Sequence, residues 1–274
     1  MIAPDWQFGE LERDADGIGM FSQERPYNID EESYDARYKR GIDANQIQAQ
    51  GRAFAKFVKA QKIRTDAPAL EIGCGTGRLT SQMVASGVFD RLLVTDGSKS
   101  FVRITKRNMA TLVSEGFGED VAVDFACLVD EDFGALPNNH FGAISMFGVL
   151  HHFLNWKSAL AILHEKLAPA GSLFFSEPSS EFMLPAAPVS ALFEHHAEVA
   201  GIDLSPGSRR KLRNMKNAAA LRISDDPEPK VKQEDKHAFR IDDIIAAGRA
   251  IGYDIEWLPN ATFSDMKGIR SDFR

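Results

Sequence analysis

Three glycines at alternate positions follow a short apolar run and one acid. The stretch reads LEIGCGTGR, in which Glu71 stands two residues before Gly73, and Gly75 and Gly77 follow. A dinucleotide-binding loop needs the spacing G-x-G-x-x-G, whose third glycine would fall at Arg78. The observed spacing therefore favours a ligand that needs bare backbone and a nearby carboxylate for an ammonium group, rather than a pyrophosphate on a helix N-terminus.

Two further acids follow strand-like runs later in the chain. Asp96 ends the run RLLVT and is followed by Gly97 and Ser98, and Asp132 precedes Phe133 in DFGALPNNHFGAI. A carboxylate accepts hydrogen bonds at both oxygens, so one acid at a strand end can hold two neighbouring hydroxyl groups. These residues are candidates for binding the remainder of the same ligand.

The elements that must position these residues alternate between strands and helices. The predicted strands are 69–72, 91–95, 121–128, 142–147 and 172–176, and the predicted helices are 43–61, 78–86, 100–115, 157–167, 189–200 and 240–251. This alternation predicts an α/β fold with a doubly wound, mostly parallel sheet. Ligands bind at the carboxyl ends of the strands in such sheets, where the glycines and acids fall.

The chain divides into four regions on this pattern. Residues 1–62 form an N-terminal arm and helix, 63–178 the α/β core, 179–238 a helical insertion or lid after strand five, and 239–274 a C-terminal helix and strand of the core. The alternation stops in the insertion, which contains several prolines and the basic run SRRKLRNMK. That run is either a solvated helix face or a patch for an acidic group.

Composition narrows the class of protein. The 274 residues are 44% hydrophobic and 26% charged with a net charge of −7, which is typical of a globular protein and makes nucleic acid an unlikely partner. No apolar run approaches the roughly 20 residues that span a membrane, and the N-terminus lacks a secretory pattern. Cys74 and Cys127 form neither a disulfide scaffold nor a zinc pattern. A reducing cytoplasm is the expected location.

Taken in order, these segments resemble the class I S-adenosylmethionine-dependent methyltransferases. LEIGCGTGR resembles the family's first motif, RLLVTDGS its second, and DFGALPNNHFGAI its D-x-x-x-L-P segment. SMFGVLHHF resembles the fourth strand with its turn, and KLAPAGSLFFSEP the hairpin before strand five. The resemblance covers about residues 70–178 and implies a Rossmann-like fold with S-adenosyl-L-methionine as the cofactor.

The resemblance also implies roles for individual residues. Asp96 would take the ribose hydroxyls, Asp132 the adenine amino group, and Phe133 would cover the ring, while Asp124 and Asp130 compete with Asp132. The cofactor-binding set implied in full is Glu71, Gly73, Cys74, Gly75, Gly77, Asp96, Gly97, Ser98, Asp132, Phe133 and Phe147.

Three features depart from the family pattern, one of which is the competition of Asp124, Asp130 and Asp132 for the adenine role. A glycine pair reads Ala170-Gly171, and the usual Phe-Asp before strand four reads Phe141-Gly142. Only one strand candidate, 253–258, follows the last helix, although the family sheet has seven strands. Either the sheet is six-stranded or the chain is part of a longer protein, and we favour the second, which would leave an edge for a partner domain.

The predicted reaction needs few catalytic groups. The sulfonium is already activated, so positioning supplies much of the rate, and a hydroxyl acceptor also needs a general base. The turn MFGV after strand four disfavours methylation of exocyclic amines of nucleic acids, and neither cysteine follows a proline, as cytosine-C5 enzymes require. No acid ends strand four, which disfavours the metal-dependent catechol type, so we expect no metal site.

Histidines are the candidates for the base. His237 and His152 are the predicted catalytic residues, with His151, His195 and His196 as alternatives. His237 lies in EDKHAF, which resembles a segment of methyltransferase domains linked to polysaccharide biosynthesis.

The sequence thus predicts a metal-independent methyltransferase that acts on an oxygen of a small molecule or saccharide. The alternatives are an NAD-dependent oxidoreductase and a non-catalytic cofactor-binding module that serves a partner domain. Tyr34 and Tyr38 in the N-terminal arm either close over the cofactor or pack against the core.

Overall fold

The computed structural model describes residues 8–21, 44–177, 179–183, 185–223, 235–259 and 271–273. The strands are β1 Glu12–Arg13, β2 Gly19–Met20, β3 Ala69–Ile72, β4 Arg91–Asp96, β5 Ala122–Cys127, β6 Phe141–Phe147, β7 Leu167–Glu177, β8 Trp257–Pro259 and β9 Ser271–Phe273. The helices are α1 Ala44–Ala60, α2 Arg78–Ser86, α3 Lys99–Ser114, α4 Trp156–Lys166, α5 Ser180–Met183, α6 Ala186–Val199, α7 Pro206–Ile223 and α8 Ile241–Ile251. Two 3₁₀ helices span Asp130–Ala135 and Leu150–His152.

All the described strands belong to one sheet with the order β1-β2-β5-β4-β3-β6-β7-β9-β8. Neighbouring strands from β2 to β7 in this order run parallel. From β3 the chain winds first toward β4 and β5 and then, on the other side, toward β6 and β7. The order therefore reverses between β3 and β6, which is where such sheets bind ligands. The predicted doubly wound α/β fold is confirmed.

The central strands are buried because helices cover both faces of the sheet. Every residue of β3 is buried, Glu71 included, as is typical of a central parallel strand that is covered on both faces. On one face, Phe54 of α1 packs against Phe89 and against Phe174 of β7. On the other face, Phe133 packs edge-on against Phe153. The sheet thus lies between two layers that contain packed aromatic side chains.

A hairpin from the N-terminal arm extends the sheet, which the sequence analysis did not predict. β2 pairs in parallel with the end of β5. The guanidinium of Arg13 donates two hydrogen bonds, 2.8 and 2.7 Å long, to the buried carboxylate of Asp124, and the backbone N–H of Phe8 donates a third. A buried carboxylate needs such partners. Asp124 therefore anchors the hairpin within β5, which removes it from the candidates for adenine binding.

The sheet also contains a strand that the sequence analysis missed. β9 lies between β7 and β8 and is antiparallel to both. The six-stranded alternative is therefore wrong. With three residues, β9 is too short for alternation to reveal it.

The glycines at two departures from the family pattern, Gly142 and Gly171, have a packing basis, whereas Ala170 does not. A Cβ at Gly142 would lie 2.8 Å from the carbonyl oxygen of Arg64, and one at Gly171 would lie 2.8 Å from that of Phe141. Both glycines permit close approach of two backbones. Ala170 adopts a left-handed φ of 60°, a conformation that glycine adopts with less strain.

The insertion contains α5, α6 and α7, with α6 and α7 packed against each other and joined by an ion pair between Lys216 and Glu194. α7 includes the basic run. The backbone N–H of Ser180 donates to the carbonyl of Phe239, which connects the two ends of the insertion. Among the described residues, no helix combines the length and apolarity that crossing a membrane would require.

Candidate active site

The glycine loop connects β3 to α2 and leaves open space at one position. Gly73, Gly75 and Gly77 all adopt positive φ, at 75°, 53° and 91°. A Cβ at Gly73 would lie 2.2 Å from Cγ2 of Val149, and one at Gly77 would lie 3.0 Å from Cγ2 of Thr105. A Cβ at Gly75 would meet nothing within 4 Å. The outer glycines are therefore required by packing, whereas Gly75 offers bare backbone that a ligand can approach.

Glu71 lies beneath this loop. Glu71 is 2% exposed, and its carboxyl group accepts a 2.7 Å hydrogen bond from Oγ1 of Thr80. Burial raises the pKa of Glu71 to about 7, while the Thr80 hydrogen bond opposes that rise and the negative charge of Asp96 adds to it. A carboxyl with so little exposed surface would contact an ammonium group through water or a neighbouring group.

Asp96 joins the end of β4 to the glycine loop. Its Oδ2 accepts a 2.9 Å hydrogen bond from the backbone N–H of Gly75, and its Oδ1 accepts one of 2.8 Å from that of Ser98. Ser98 also caps α3, since its Oγ accepts a hydrogen bond from the backbone N–H of Phe101. Each carboxylate oxygen has a second lone pair, so Asp96 retains the capacity to accept hydroxyl groups beside Gly97.

Cys74 supports the loop by packing. Its backbone N–H donates to the carbonyl of Thr95, and its side chain is buried. Burial raises the pKa of the Cys74 thiol well above its ordinary value, and the charges of Asp96 and Glu71 raise it further. The thiolate is therefore disfavoured, which makes Cys74 an unreactive residue.

The adenine side of the predicted site lies in the first 3₁₀ helix. Oδ2 of Asp132 is buried and accepts no hydrogen bond from any described residue, and a buried acceptor of this kind suits a ligand amino group. Phe133 was expected to cover the adenine ring. It is instead fully buried, and its ring packs on Phe153 with ring centroids 5.5 Å apart. In this conformation Phe133 does not cover a bound ring. Phe147, at the end of β6, is half-buried and packs edge-on against Phe174.

A buried carboxylate organises the turn after β6. Oε1 of Glu177, the last residue of β7, accepts hydrogen bonds from the backbone N–H groups of Val149 and Leu150, at 2.8 and 2.6 Å. Its Oε2 accepts a 3.3 Å hydrogen bond from the backbone N–H of His151 and lies 2.6 Å from Nδ1 of the same residue. Because a carboxylate only accepts, the imidazole donates its Nδ1 proton and presents Nε2 to its other side.

Asp235 faces both histidines of this turn from a distant part of the chain. Its Oδ1 lies 3.3 Å from Nε2 of His151 and 3.7 Å from Nδ1 of His152. The next residue, Lys236, donates its backbone N–H to the carbonyl of His151. The centroids of the two imidazole rings are 4.0 Å apart. The segment that returns from the insertion is thus fixed against the turn after β6.

The other predicted histidines have different surroundings. His237 belongs to the same returning segment as Asp235, and its ring stacks on Phe239 at a centroid distance of 5.6 Å. His195 and His196 are exposed on α6. Tyr34 and Tyr38 lie outside the described residues.

Sequence reasoning did not select Glu177 or Asp235. Glu177 follows the apolar run SLFFS, so an acid at the end of strand five was the available signal. Asp235 lies in EDKHAF, from which only His237 was selected, because the contact of Asp235 with the turn after β6 arises only in the fold. The expectation of no metal site rested on the spacing of the cysteines and on the end of strand four, and so did not include Asp235.

The burial of Glu71 predicts a specific pH dependence of stability. In the unfolded chain this group ionises near its ordinary value of 4.5, whereas in the fold it stays neutral up to about pH 7. The stability that it contributes is thus complete below its unfolded pKa and is lost as the pH rises through its folded pKa. We expect the free energy of unfolding of Glu71→Gln to rise relative to the wild type by up to about 3 kcal/mol between about pH 5 and pH 8.

Urea unfolding at the two pH values measures this change. Glu119→Gln, which alters an exposed carboxylate, is the matched control and should show no such trend. A constant difference between Glu71→Gln and the wild type across this range would contradict a neutral buried Glu71.

Comparisons with known proteins agree with this geometry. Residues 45–223 match the family model described as "Methyltransferase domain". No curated protein matches the chain. An S-adenosylmethionine-dependent methyltransferase from Mesorhizobium loti shares 14% identity at a TM-score of 0.50, over 80% of this chain and 97% of that one.

The CurJ carbon methyltransferase shares 14% identity at a TM-score of 0.53, over 88% of this chain and 57% of that one. At these identities the two structures show the fold alone. The family model, however, matches more than half of the chain. The chain therefore belongs to the methyltransferase domain family and is a class I S-adenosylmethionine-dependent methyltransferase.

Proposed function

We propose that this methyltransferase methylates an oxygen of a small molecule or saccharide without a metal, with His151 as the general base. The hydrogen bond from Nδ1 of His151 to the buried Glu177 carries this proposal. The sequence analysis favoured His237 and His152. We favour His151 because its ring is held by the buried carboxylate of Glu177, 2.6 Å from Nδ1.

The described residues fit S-adenosylmethionine. The open space above Gly75 suits close backbone approach, Asp96 suits the ribose hydroxyls, and the unsatisfied Oδ2 of Asp132 suits the adenine amino group. When bound, this cofactor supplies a methyl group on a cationic sulfonium. The remaining members of the proposed binding set are Glu71, Gly73, Cys74, Gly77, Gly97, Ser98, Phe133 and Phe147, of which Phe133 would have to leave its buried position to take part.

The contact between the turn after β6 and the glycine loop supports His151 as the base. Val149 contacts Gly73 so closely that a Cβ on Gly73 would overlap it, and His151 follows two residues later. Nε2 of His151 takes the proton that the acceptor hydroxyl loses as it attacks. The resulting imidazolium lies between two carboxylates, Glu177 at Nδ1 and Asp235 at Nε2, which stabilise its positive charge.

A base held in this way favours an acceptor that must lose a proton, and a hydroxyl is the simplest such group. A carbon acid needs the same assistance, so the methylated atom must be identified in the product. Binding of the cofactor without turnover, in support of a partner domain, is the alternative that the experiment below tests. We also propose a cytoplasmic location, on the basis of the cysteine content.

Removing the base should slow methyl transfer without loss of cofactor binding. For His151→Gln we expect a fall in kcat of about 10²–10⁴-fold, because proton removal loses its assistance. Radiolabelled S-adenosylmethionine and fractionated cell extract would identify the acceptor, kinetics would follow, and calorimetry would confirm that cofactor affinity is retained.

His164→Gln is the matched control, since His164 packs against Tyr253 away from this turn, and it should retain activity. An unchanged kcat in His151→Gln would contradict the assignment of the base. Absence of methyl transfer to any fraction, with cofactor bound, would favour the non-catalytic alternative.

The two acids of the first 3₁₀ helix provide a second test. Asp132→Ala should weaken binding of S-adenosylmethionine by about 1–3 kcal/mol, because the adenine amino group would lose its acceptor. Asp130→Ala should have a much smaller effect, since the buried acceptor is on Asp132. Calorimetric titration of both variants measures the difference, and a larger loss in Asp130→Ala would reverse the assignment.

A further inference from the structure

Three side chains with metal-ligating atoms meet beside the proposed base. The imidazole rings of His151 and His152 and the carboxylate of Asp235 each offer one donor atom, and these atoms all lie within 4.8 Å of one another. His151 is buried, and the other two are half-buried. The three residues come from the turn after β6 and from the segment that returns from the insertion.

The separations match those of ligands around one small ion. A metal bonded at about 2.1 Å to nitrogen and oxygen in tetrahedral geometry holds its donors about 3.4 Å apart. Oδ1 of Asp235 lies 3.3 Å from Nε2 of His151 and 3.7 Å from Nδ1 of His152. Asp235 is therefore at ligand separation from both histidines, whose own donor atoms lie within 4.8 Å of each other.

The surroundings of His151 are those of a metal-binding histidine. Such a histidine donates its second ring N–H to a carboxylate, which fixes the tautomer and the direction of the free nitrogen. Glu177 does this at Nδ1, at 2.6 Å, and is itself held by the backbone N–H groups of Val149 and Leu150. The nitrogen left to bind an ion is Nε2, which faces Asp235.

Charge also favours a cation at this point. The carboxylate of Glu177 holds the ring of His151 at Nδ1, and Nε2 on the other side of the ring faces the carboxylate of Asp235. Two acceptors that face each other at 3.3 Å need a positive group between them. A proton fills that position when the base is protonated, and a divalent ion fits the same position with His152 as an additional ligand.

We propose that His151, His152 and Asp235 bind a divalent transition-metal ion of the zinc class. Two imidazoles and one carboxylate are the donor set of such ions rather than of magnesium or calcium, which prefer oxygen ligands. The ion uses the lone pair of Nε2 and so competes with the proton that His151 takes from the acceptor. Zinc therefore inhibits methyl transfer, a consequence that rests on the proposed role of His151 as base.

Metal binding is tested directly on the full chain, without any acceptor. Titration of the metal-free protein with Co²⁺, followed by its visible absorption, and with Zn²⁺, followed by calorimetry, should show one ion per chain. Asp235→Ala and His152→Ala should each weaken binding at least tenfold. Asp242→Ala, which removes an exposed acid of α8, is the matched control and should bind as the wild type does.

Binding of equal strength in the wild type and in both ligand variants, or no binding in the wild type, would overturn the site. Circular dichroism of each variant checks that it is folded. Once an acceptor is known, micromolar zinc should inhibit the wild type, and a chelator should restore activity. Stimulation by zinc would overturn the competition with the base, whereas the titrations test the site even if no acceptor is found.

Discussion

The buried carboxylate of Glu177 connects the two halves of the active site. It stands at the end of β7 and accepts hydrogen bonds from three successive backbone N–H groups, those of residues 149 to 151, and from the ring of His151. These bonds hold the turn after β6 in one conformation. Because Val149 of that turn packs against Gly73, the same carboxylate also supports the cofactor loop. The position of the base and the shape of the loop therefore depend on one side chain.

Glu177 belongs to a wider arrangement in which strand ends carry acids. Glu71 is the third of the four residues of β3 and accepts a hydrogen bond from Thr80 of α2, while Asp96 ends β4 and accepts hydrogen bonds from the backbone N–H groups of Gly75 and Ser98. Asp96 and Glu177 thus hold loops that follow their own or a neighbouring strand, and Glu71 holds the helix that follows the glycine loop. Burial is the main reason why the pKa of Glu71 rises, and the negative charge of Asp96 adds to that rise. These hydrogen bonds hold the loops before a ligand binds. Binding of a cofactor that fits them therefore costs little conformational entropy of the protein.

The sequence predicted the features that depend on residues close together along the chain. The glycine loop, Asp96 and the central strands follow from apolar runs that end at glycines and acids, and the helix at 78–86 has the predicted bounds. Such features arise within one βαβ unit, where spacing along the chain fixes spacing in the fold.

Features that depend on distant contacts were not predictable in this way. Asp235 meets His151 only because the insertion returns across the turn after β6, and Arg13 meets Asp124 only because the N-terminal hairpin pairs with β5. Phe133 was assigned to the cofactor from its position after Asp132 in the motif. That position does not reveal that its ring packs inward on Phe153. Short elements such as β9 take their conformation from the sheet beside them rather than from their own residues.

The protonation of the His151 ring tests the central role of Glu177 most directly. In protein with ¹⁵N-labelled histidine, NMR should show a strongly deshielded proton on Nδ1 of His151, as a hydrogen bond of 2.6 Å to a carboxylate requires. That resonance should disappear in Glu177→Gln, while the amide spectrum of the central strands is retained. An Nδ1 without a proton in the wild type, or a resonance that persists unchanged in Glu177→Gln, would contradict the account.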